Sequence, residues 1–403
     1  MSVSQNTHKH AVWSVFWAFL KLGFTSFGGP VAHLGYFRHA FVSQRAWLSE
    51  QSYADLVALC QFLPGPASSQ VGIAIGYTRA GYRGALAAWL GFTVPSAVAL
   101  IAIALSLQHF GDTLSASTLH AFKLVAVAVV AQALLGMART LCPDLPRVFL
   151  MLAAALCMFF IPTALGQVTV IAAAAVIGWL CFQSKAVAVT QAECFHIPMR
   201  RRAGVLWFSI FAFLLLSLPF FASTTGYASL TIIDAFYRAG ALVFGGGHVV
   251  LPLLQAEVVA TGWVSHDSFI AGYGVTQAVP GPLFTFAAFL GASLLTGPTG
   301  WLGGTVALLA IFLPSFLLVF AALPFWQHLR QQRSMQAALV GINAAVVGLL
   351  LAAFFQPVLT SAIHSLADVG FAALFLFALM YWRVPPWCVV LISPLIGVLL
   401  SFL

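Results

Sequence analysis

Gln61-Phe62-Leu63-Pro64-Gly65-Pro66 occurs a second time in the chain, as Gln277-Ala278-Val279-Pro280-Gly281-Pro282. Both copies lie in apolar surroundings, and both interrupt a helix. A residue that precedes proline avoids the α region, so Leu63 and Gly65 end one helical arm. Pro66 can then open the next arm, where its missing N–H costs nothing. The arms are short. Residues 51–63 and 67–78 are about 13 residues each, or about 20 Å of helix, against a hydrocarbon core about 30 Å thick. Each pair reads as a re-entrant hairpin whose tip is buried near the midplane. The alternative is a proline kink in one long helix; the short arms and the second copy favour the hairpin.

Comparing the chain with itself extends the match. Phe27-Gly28-Gly29 returns as Phe244-Gly245-Gly246, about 217 residues further on. Trp47 and Ser49 return as Trp263 and Ser265, Pro95-Ser96 as Pro314-Ser315, and Ala128-Val129-Val130 as Ala345-Val346-Val347. The basic residues do not follow this repeat. Arg38, Arg45, Arg79 and Arg83 flank the first hairpin, whereas the matching Leu254, Thr261, Leu295 and Thr299 carry no charge. One span later the pattern reverses: 108–118 holds no Lys or Arg, while 328–333 holds Arg330 and Arg333. Lys and Arg collect in cytoplasmic loops, so the halves are expected to insert upside down relative to each other, a recurring plan among transporters. The polar stretch 183–203, with Lys185 and Arg200-Arg201-Arg202, reads as a cytoplasmic linker between a first repeat, 1–182, and a second, 204–403. Counting spans from that linker places the N-terminus inside and the C-terminus outside.

Composition demands a membrane. Only 6% of the 403 residues are charged, 62% are hydrophobic and the mean hydropathy is +1.01. A soluble chain carries roughly a quarter charged residues, so the solvent here is lipid. The fold class expected is an all-α polytopic membrane protein of two inverted-topology repeats with broken helices. Residues 85–107, 121–141, 205–221, 302–323 and 337–355 are long enough to span. The net charge of +8 belongs to topology and to a few intramembrane cations, not to nucleic acid. The six cysteines form no C-x-x-C pair and read as small apolar fillers. The N-terminal apolar run ends in Phe-Gly-Gly-Pro without a small-x-small site, so no cleavable signal is expected.

Candidate site residues follow from the breaks. At a helix start the first N–H groups have no intrahelical acceptor and the dipole adds positive charge, which makes an anion seat. In the first half that seat comprises Gln61, Pro64, Gly65, Pro66, Ala67 and Ser68, with the amides of Gly65, Ala67 and Ser68 as donors. In the second it comprises Gln277, Pro280, Gly281, Pro282 and Leu283. The breaks at Phe27-Gly28-Gly29 and Phe244-Gly245-Gly246 allow positive φ or close approach to a ligand; tight helix packing is the competing explanation. Lys21 and Arg238 each precede the break's phenylalanine by six residues, about 9 Å of helix. A cation at membrane depth costs about 2.5–3.5 kcal/mol on insertion scales. A dianion between the two would offset it, and snorkelling of the long side chains to an interface is the alternative. His33 and His248 sit beside the breaks, and Asp55 and Glu257 read as ion-pair partners or proton carriers. No H-E-x-x-H, G-x-S-x-G or P-loop is present and no His/Cys metal cluster, so neither an enzyme nor a cofactor is expected.

At these residues the sequence resembles the chromate ion transporter family in its long, two-domain form. Phe27-Gly28-Gly29-Pro30-Val31-Ala32-His33, Phe37-Arg38, Arg45-x-Trp47-Leu48 and Gln61-x-x-Pro64-Gly65-Pro66 resemble the family's N-terminal signature. Phe244-Gly245-Gly246-Gly247-His248-Val249-Val250-Leu251-Pro252 and Gln277-x-x-Pro280-Gly281-Pro282 resemble the C-terminal one. The resemblance implies chromate efflux across a bacterial inner membrane and chromate resistance, with sulfate as competitor or counter-substrate. Expected partners are the oxyanion and the lipid bilayer; a homodimer stays open. The rival readings are an anion channel or sulfate importer with the same seat, and a membrane scaffold without flux. Reporter tags inserted beside Arg79 and beside Thr299 are expected to emerge on opposite sides of the membrane; emergence on one side rules out the inverted arrangement.

Overall fold

The computed structural model describes residues 2–110, 116–161, 163–182, 199–244, 247–326 and 332–400. Gly245, Gly246 and residues 183–198 of the expected linker lie outside these. Among the described residues every regular element is helical. The first half contains α1 (Ser2–Thr25), α2 (Gly29–Arg38), α3 (Glu50–Phe62), α4 (Ala67–Phe110), α5 (Ala116–Leu141), α6 (Leu145–Phe160) and α7 (Ala164–Cys181). After α8 (Arg201–Thr225) the second half repeats the order. It has α9 (Ala228–Leu242), α10 (Val250–Val258), α11 (His266–Thr276), α12 (Phe286–Ala292) and α13 (Gly300–Ala322), then α14 (Arg333–Ala353), α15 (Leu366–Met380) and α16 (Pro386–Leu400).

Both hairpins of the first half are re-entrant. Phe19 on α1 packs on Phe37 of α2 and on Phe41 just beyond it, with ring centroids 5.4 and 4.7 Å apart, so the chain doubles back after the break, while the body of α1 packs on α4. Tyr53 near the start of α3 donates to the Leu34 carbonyl on α2 at 2.6 Å, which sets the second hairpin beside the first. α3 stops at Leu63, whose extended backbone (φ −82°, ψ 146°) is what a following proline imposes. α4 departs from Ala67 and turns sharply at Ala80–Gly81, so its first arm returns to the level where α3 began. Only then does the chain run a full span. Gly76 and Gly84 close this turn by direct backbone approach, since a Cβ on either would collide with the other's carbonyl oxygen. Gly291 and Gly303 repeat the device in the second half.

α8 has no counterpart in the first half. It is 25 residues long, apolar enough to cross a membrane, and exposes Leu206, Phe208, Phe213, Leu216 and Phe220. One added crossing between two otherwise like halves turns the second half over. Arg201, Arg202 and Ala203, read as linker from the sequence, form its first turn. The halves then exchange helices: α6 and α7 of the first pack on α14 of the second, while α15 and α16 of the second pack on α5 of the first. At one end Lys123 on α5 meets Asp267 on α11 at 2.6 Å, and His120 meets Asp368 on α15 at 2.6 Å.

Replacing Gly84 by leucine is expected to lower the thermal midpoint in detergent, at a cost on the order of 1–3 kcal/mol from overpacking. Gly370→Ala, whose Cβ meets nothing within 4 Å, is expected to leave that midpoint unchanged in the same fluorescence melt.

Candidate functional site

Four helix starts converge where the halves meet. α2 begins beside Gly28, held at φ +99°, and α4 begins at Ala67. A 3₁₀ turn, Gly247–Val249, leads into α10, and another, Leu283–Thr285, leads into α12. Two adjoining cavities of about 220 and 560 Å³ lie between them and share Gly28, Ala133 and His248 as walls. At a share of about 30 Å³ per water, either holds a tetrahedral anion with part of its hydration. Gly29, Gln277, Gly281 and Leu283 line the smaller, and Gln61, Gly65, Ala67 and Gly247 the larger. α5 closes the remaining side with Gln132, Gly136 and Thr140. Among the described lining residues there is no Asp, Glu, Lys or Arg.

The polarity of the seat comes from how the breaks are bonded. Gly65 N–H donates to the Val243 carbonyl at 2.6 Å, and Gly281 N–H donates to the Ser26 carbonyl at 2.9 Å. Each proline tip thus binds the glycine break of the opposite half. The Ser26 carbonyl also faces His33 Nε2 at 3.2 Å, and the Pro64 carbonyl accepts from Gln70 Nε2 at 2.7 Å. Carbonyls at the ends of the incoming helices are therefore occupied. The starts of the outgoing helices keep amides without intrahelical acceptors and the positive end of the dipole. Gln277 Nε2 is buried without a protein partner and belongs to a residue on the cavity wall.

Several expectations need correction. The amides of Gly65 and Gly281 are not free for an anion, because the crosswise bonds use them. Pro66 and Pro282 cap the new helices instead of opening them: the Pro66 carbonyl accepts from Gln70 N–H and that of Pro282 from Thr285 N–H. Lys21 is exposed on α1 and lines neither cavity. Arg238 is held by its own half, with Asp234 one turn earlier at 2.9 Å and Glu257 on α10 at 2.8 Å. Its burial is offset by two carboxylates, which removes the reason for assigning it a dianion. Glu257 is thereby an ion-pair partner, and Arg38 pairs with Glu50 at 2.7 Å. Ser68 is buried against His33 Nδ1 at 3.4 Å, and Phe27 packs on Trp387 at 5.5 Å. Pro64, Phe244 and Pro280 shape the breaks without lining either cavity, and Gly245 and Gly246 lie outside the described residues.

The cavity walls also contain residues that sequence reasoning left unassigned. Gln132 has Leu349 as its repeat counterpart and Asn343 has Ala126, so neither stands out when the chain is aligned with itself. A third cavity of about 430 Å³ lies apart, between α6, α7, α10 and α14. Leu349 and Ala353 on its wall are the repeat counterparts of Gln132 and Gly136 in the central site, so it occupies the equivalent face of α14.

Comparisons with known proteins agree with this duplicated plan. The family model for the chromate transporter matches residues 13–179 and 230–398, leaving α8 between the two parts. A chromate transport protein of Pseudomonas aeruginosa is 30% identical over 349 residues, covering 83% of this chain and 78% of its own. One from Cupriavidus metallidurans is 28% identical, covering 88% of this chain and 84% of its own. An uncharacterized transporter of Methanocaldococcus jannaschii is 27% identical, covering 96% and 94%. No solved structure matches the chain.

Substituting Gln277 by leucine is expected to weaken binding of a tetrahedral oxyanion to the purified protein by about tenfold to a hundredfold, the worth of a hydrogen bond to a charged group. Lys21→Ala is expected to leave that affinity unchanged, as read by equilibrium dialysis of both variants.

Proposed function

The chain belongs to the chromate transporter family, and we propose that it is a secondary transporter that exports chromate from the cytoplasm by alternating access and so confers resistance. The observation that carries this reading is the cavity where four helix starts meet, whose described lining residues include amides, hydroxyls and an imidazole and no Asp, Glu, Lys or Arg. A tetrahedral oxyanion presents acceptor oxygens in four directions, and helix starts supply donors from several. The relatives from Pseudomonas and Cupriavidus are chromate transport proteins by name, which supports chromate as the substrate.

In the proposed cycle the interlocked repeats 1–182 and 204–403 shift relative to each other about the crosswise tip bonds. The larger central cavity beside α5 and the third cavity beside α14 serve as alternate entrances. Gly28, Gly29, Gln61, Ala67, Gln277 and Leu283 hold the anion. Gly65 and Gly281 act by tying the tips together. The protein sits in the inner membrane with its N-terminus in the cytoplasm, and it performs no chemistry on the anion.

Purified protein in proteoliposomes loaded with unlabelled chromate is expected to take up labelled chromate faster than empty vesicles, with sulfate competing more weakly. A channel gives no such trans-stimulation, so equal uptake by loaded and empty vesicles overturns alternating access. No uptake in either overturns the transport assignment.

A further inference from the structure

His248 is, among the described lining residues of the central cavity, the imidazole that the duplication does not explain. Its repeat counterpart is Val31, so the imidazole was placed in one half only. It lines both adjoining cavities. Nδ1 lies 2.6 Å from the hydroxyl of Tyr273, which is buried on α11. The ring's other nitrogen is directed at the first glycine break, since a Cβ on Gly29 would stand 4.0 Å from Nε2. Gly29 itself forms part of the cavity wall.

The groups that face this ring are few. α11 brings the Tyr273 hydroxyl and α3 brings the Cys60 thiol to the wall of the larger cavity. α2 brings Gly29, Pro30 and Leu34 to the walls, none of them titratable. Its own histidine, His33, is bonded behind the break to Ser26 and Ser68. The lining residues of α5, α14 and α16 and those at the start of α12 carry no titratable side chain. A neutral imidazole donates from one nitrogen and accepts at the other; the protonated ring donates from both. With the tyrosine hydroxyl donating to Nδ1, Nε2–H is a donor into the cavity. With the tyrosine oxygen accepting, a second proton makes the ring a cation.

Resting on the reading of this cavity as the anion seat, we propose that His248 is its proton-linked specificity residue. The imidazole takes a proton from solvent when a divalent tetrahedral oxyanion enters, and releases it when the anion leaves. The physical cause is that no Lys or Arg stands among the described lining residues. An opposite charge within a few ångströms favours the charged form of a histidine, and the dianion supplies that charge only while bound. Each ligand then raises the affinity for the other by the same factor. Dianion binding accordingly strengthens as pH falls through the range where the liganded imidazole titrates and levels off where the free imidazole is itself protonated, and a monovalent halide gains less. Tyr273 is a positioning residue that fixes which nitrogen faces the anion.

The test is proton uptake on chromate binding by the purified full-length protein in weak buffer at alkaline pH, where free chromate is already divalent. The parent is expected to take up close to one proton per anion, about the single site's worth. His248→Gln, which keeps a neutral donor, is expected to bind about tenfold more weakly with no uptake, and Cys60→Ala to behave like the parent. Parent protein that binds chromate without proton uptake overturns the proposal while leaving the transport reading intact. So does His248→Gln with undiminished uptake, or loss of uptake in Cys60→Ala. Should His248→Gln fail to fold, the parent titration and Cys60→Ala still decide. Parent protein that binds no chromate overturns the transport reading, and this proposal falls with it.

Discussion

Two hydrogen bonds between the halves, Gly65 N–H to the Val243 carbonyl and Gly281 N–H to the Ser26 carbonyl, organise the centre of this protein. Broken helices in lipid present unpaired backbone groups, and each such group costs several kcal/mol where no water reaches it. Here each half supplies the donor that the other half lacks. Geometry enforces the exchange. Gly65 and Gly281 hold φ at +123° and +106°, and a Cβ on either would press on a serine of the opposite half, Ser315 at 2.9 Å or Ser96 at 2.7 Å. Those serines belong to the repeated Pro-Ser pair of α13 and α4. The tip glycine and its serine neighbour recur among the repeated anchors of the sequence, and the acceptor carbonyls of Ser26 and Val243 stand at equivalent repeat positions with different side chains, as a backbone acceptor allows.

That exchange also decides the sign of the site. A broken helix offers one carbonyl end and one amide end, and left alone the two nearly cancel. The crosswise bonds, with Gln70 and His33 adding to them, engage carbonyls at the incoming ends. What faces the cavity is the uncompensated half of four dipoles, roughly half a positive charge at each start.

Much of this was legible because breaking a helix in lipid needs particular residues. Pro-Gly-Pro and Phe-Gly-Gly mark the breaks, short arms mark the hairpins, and a second copy of each makes chance untenable. The cations were less legible. Lys21 and Arg238 share a repeat position, which suggested a shared role, but Asp234 stands four residues before Arg238 at helical ion-pair spacing. That local signal outweighed the duplicated one. The use of the Gly65 and Gly281 amides was not legible, since it depends on a contact between segments far apart in the chain. Gln132 and Asn343 escaped for the opposite reason: they break the repeat, and self-comparison finds only what obeys it, whereas His248 drew notice only through its place beside the glycine break.

Read as the proposed anion seat, a cavity with no Lys or Arg among its described lining residues fits movement better than storage. A fixed cation at 4 Å attracts a unit charge by about 4 kcal/mol even at an effective dielectric of 20, and a dianion by about twice that. Held by such a permanent cation, the anion would leave slowly, whereas the charge proposed for His248 is lost with its proton as the anion departs; transport needs binding strong enough to enter yet weak enough to leave. Helix starts, amides and hydroxyls each contribute less, and they are carried on different hairpins from different halves. A small displacement of one half therefore loosens several contacts together. Binding strength becomes a function of the protein's conformation, which a single charged side chain following the anion on a flexible stem would not provide.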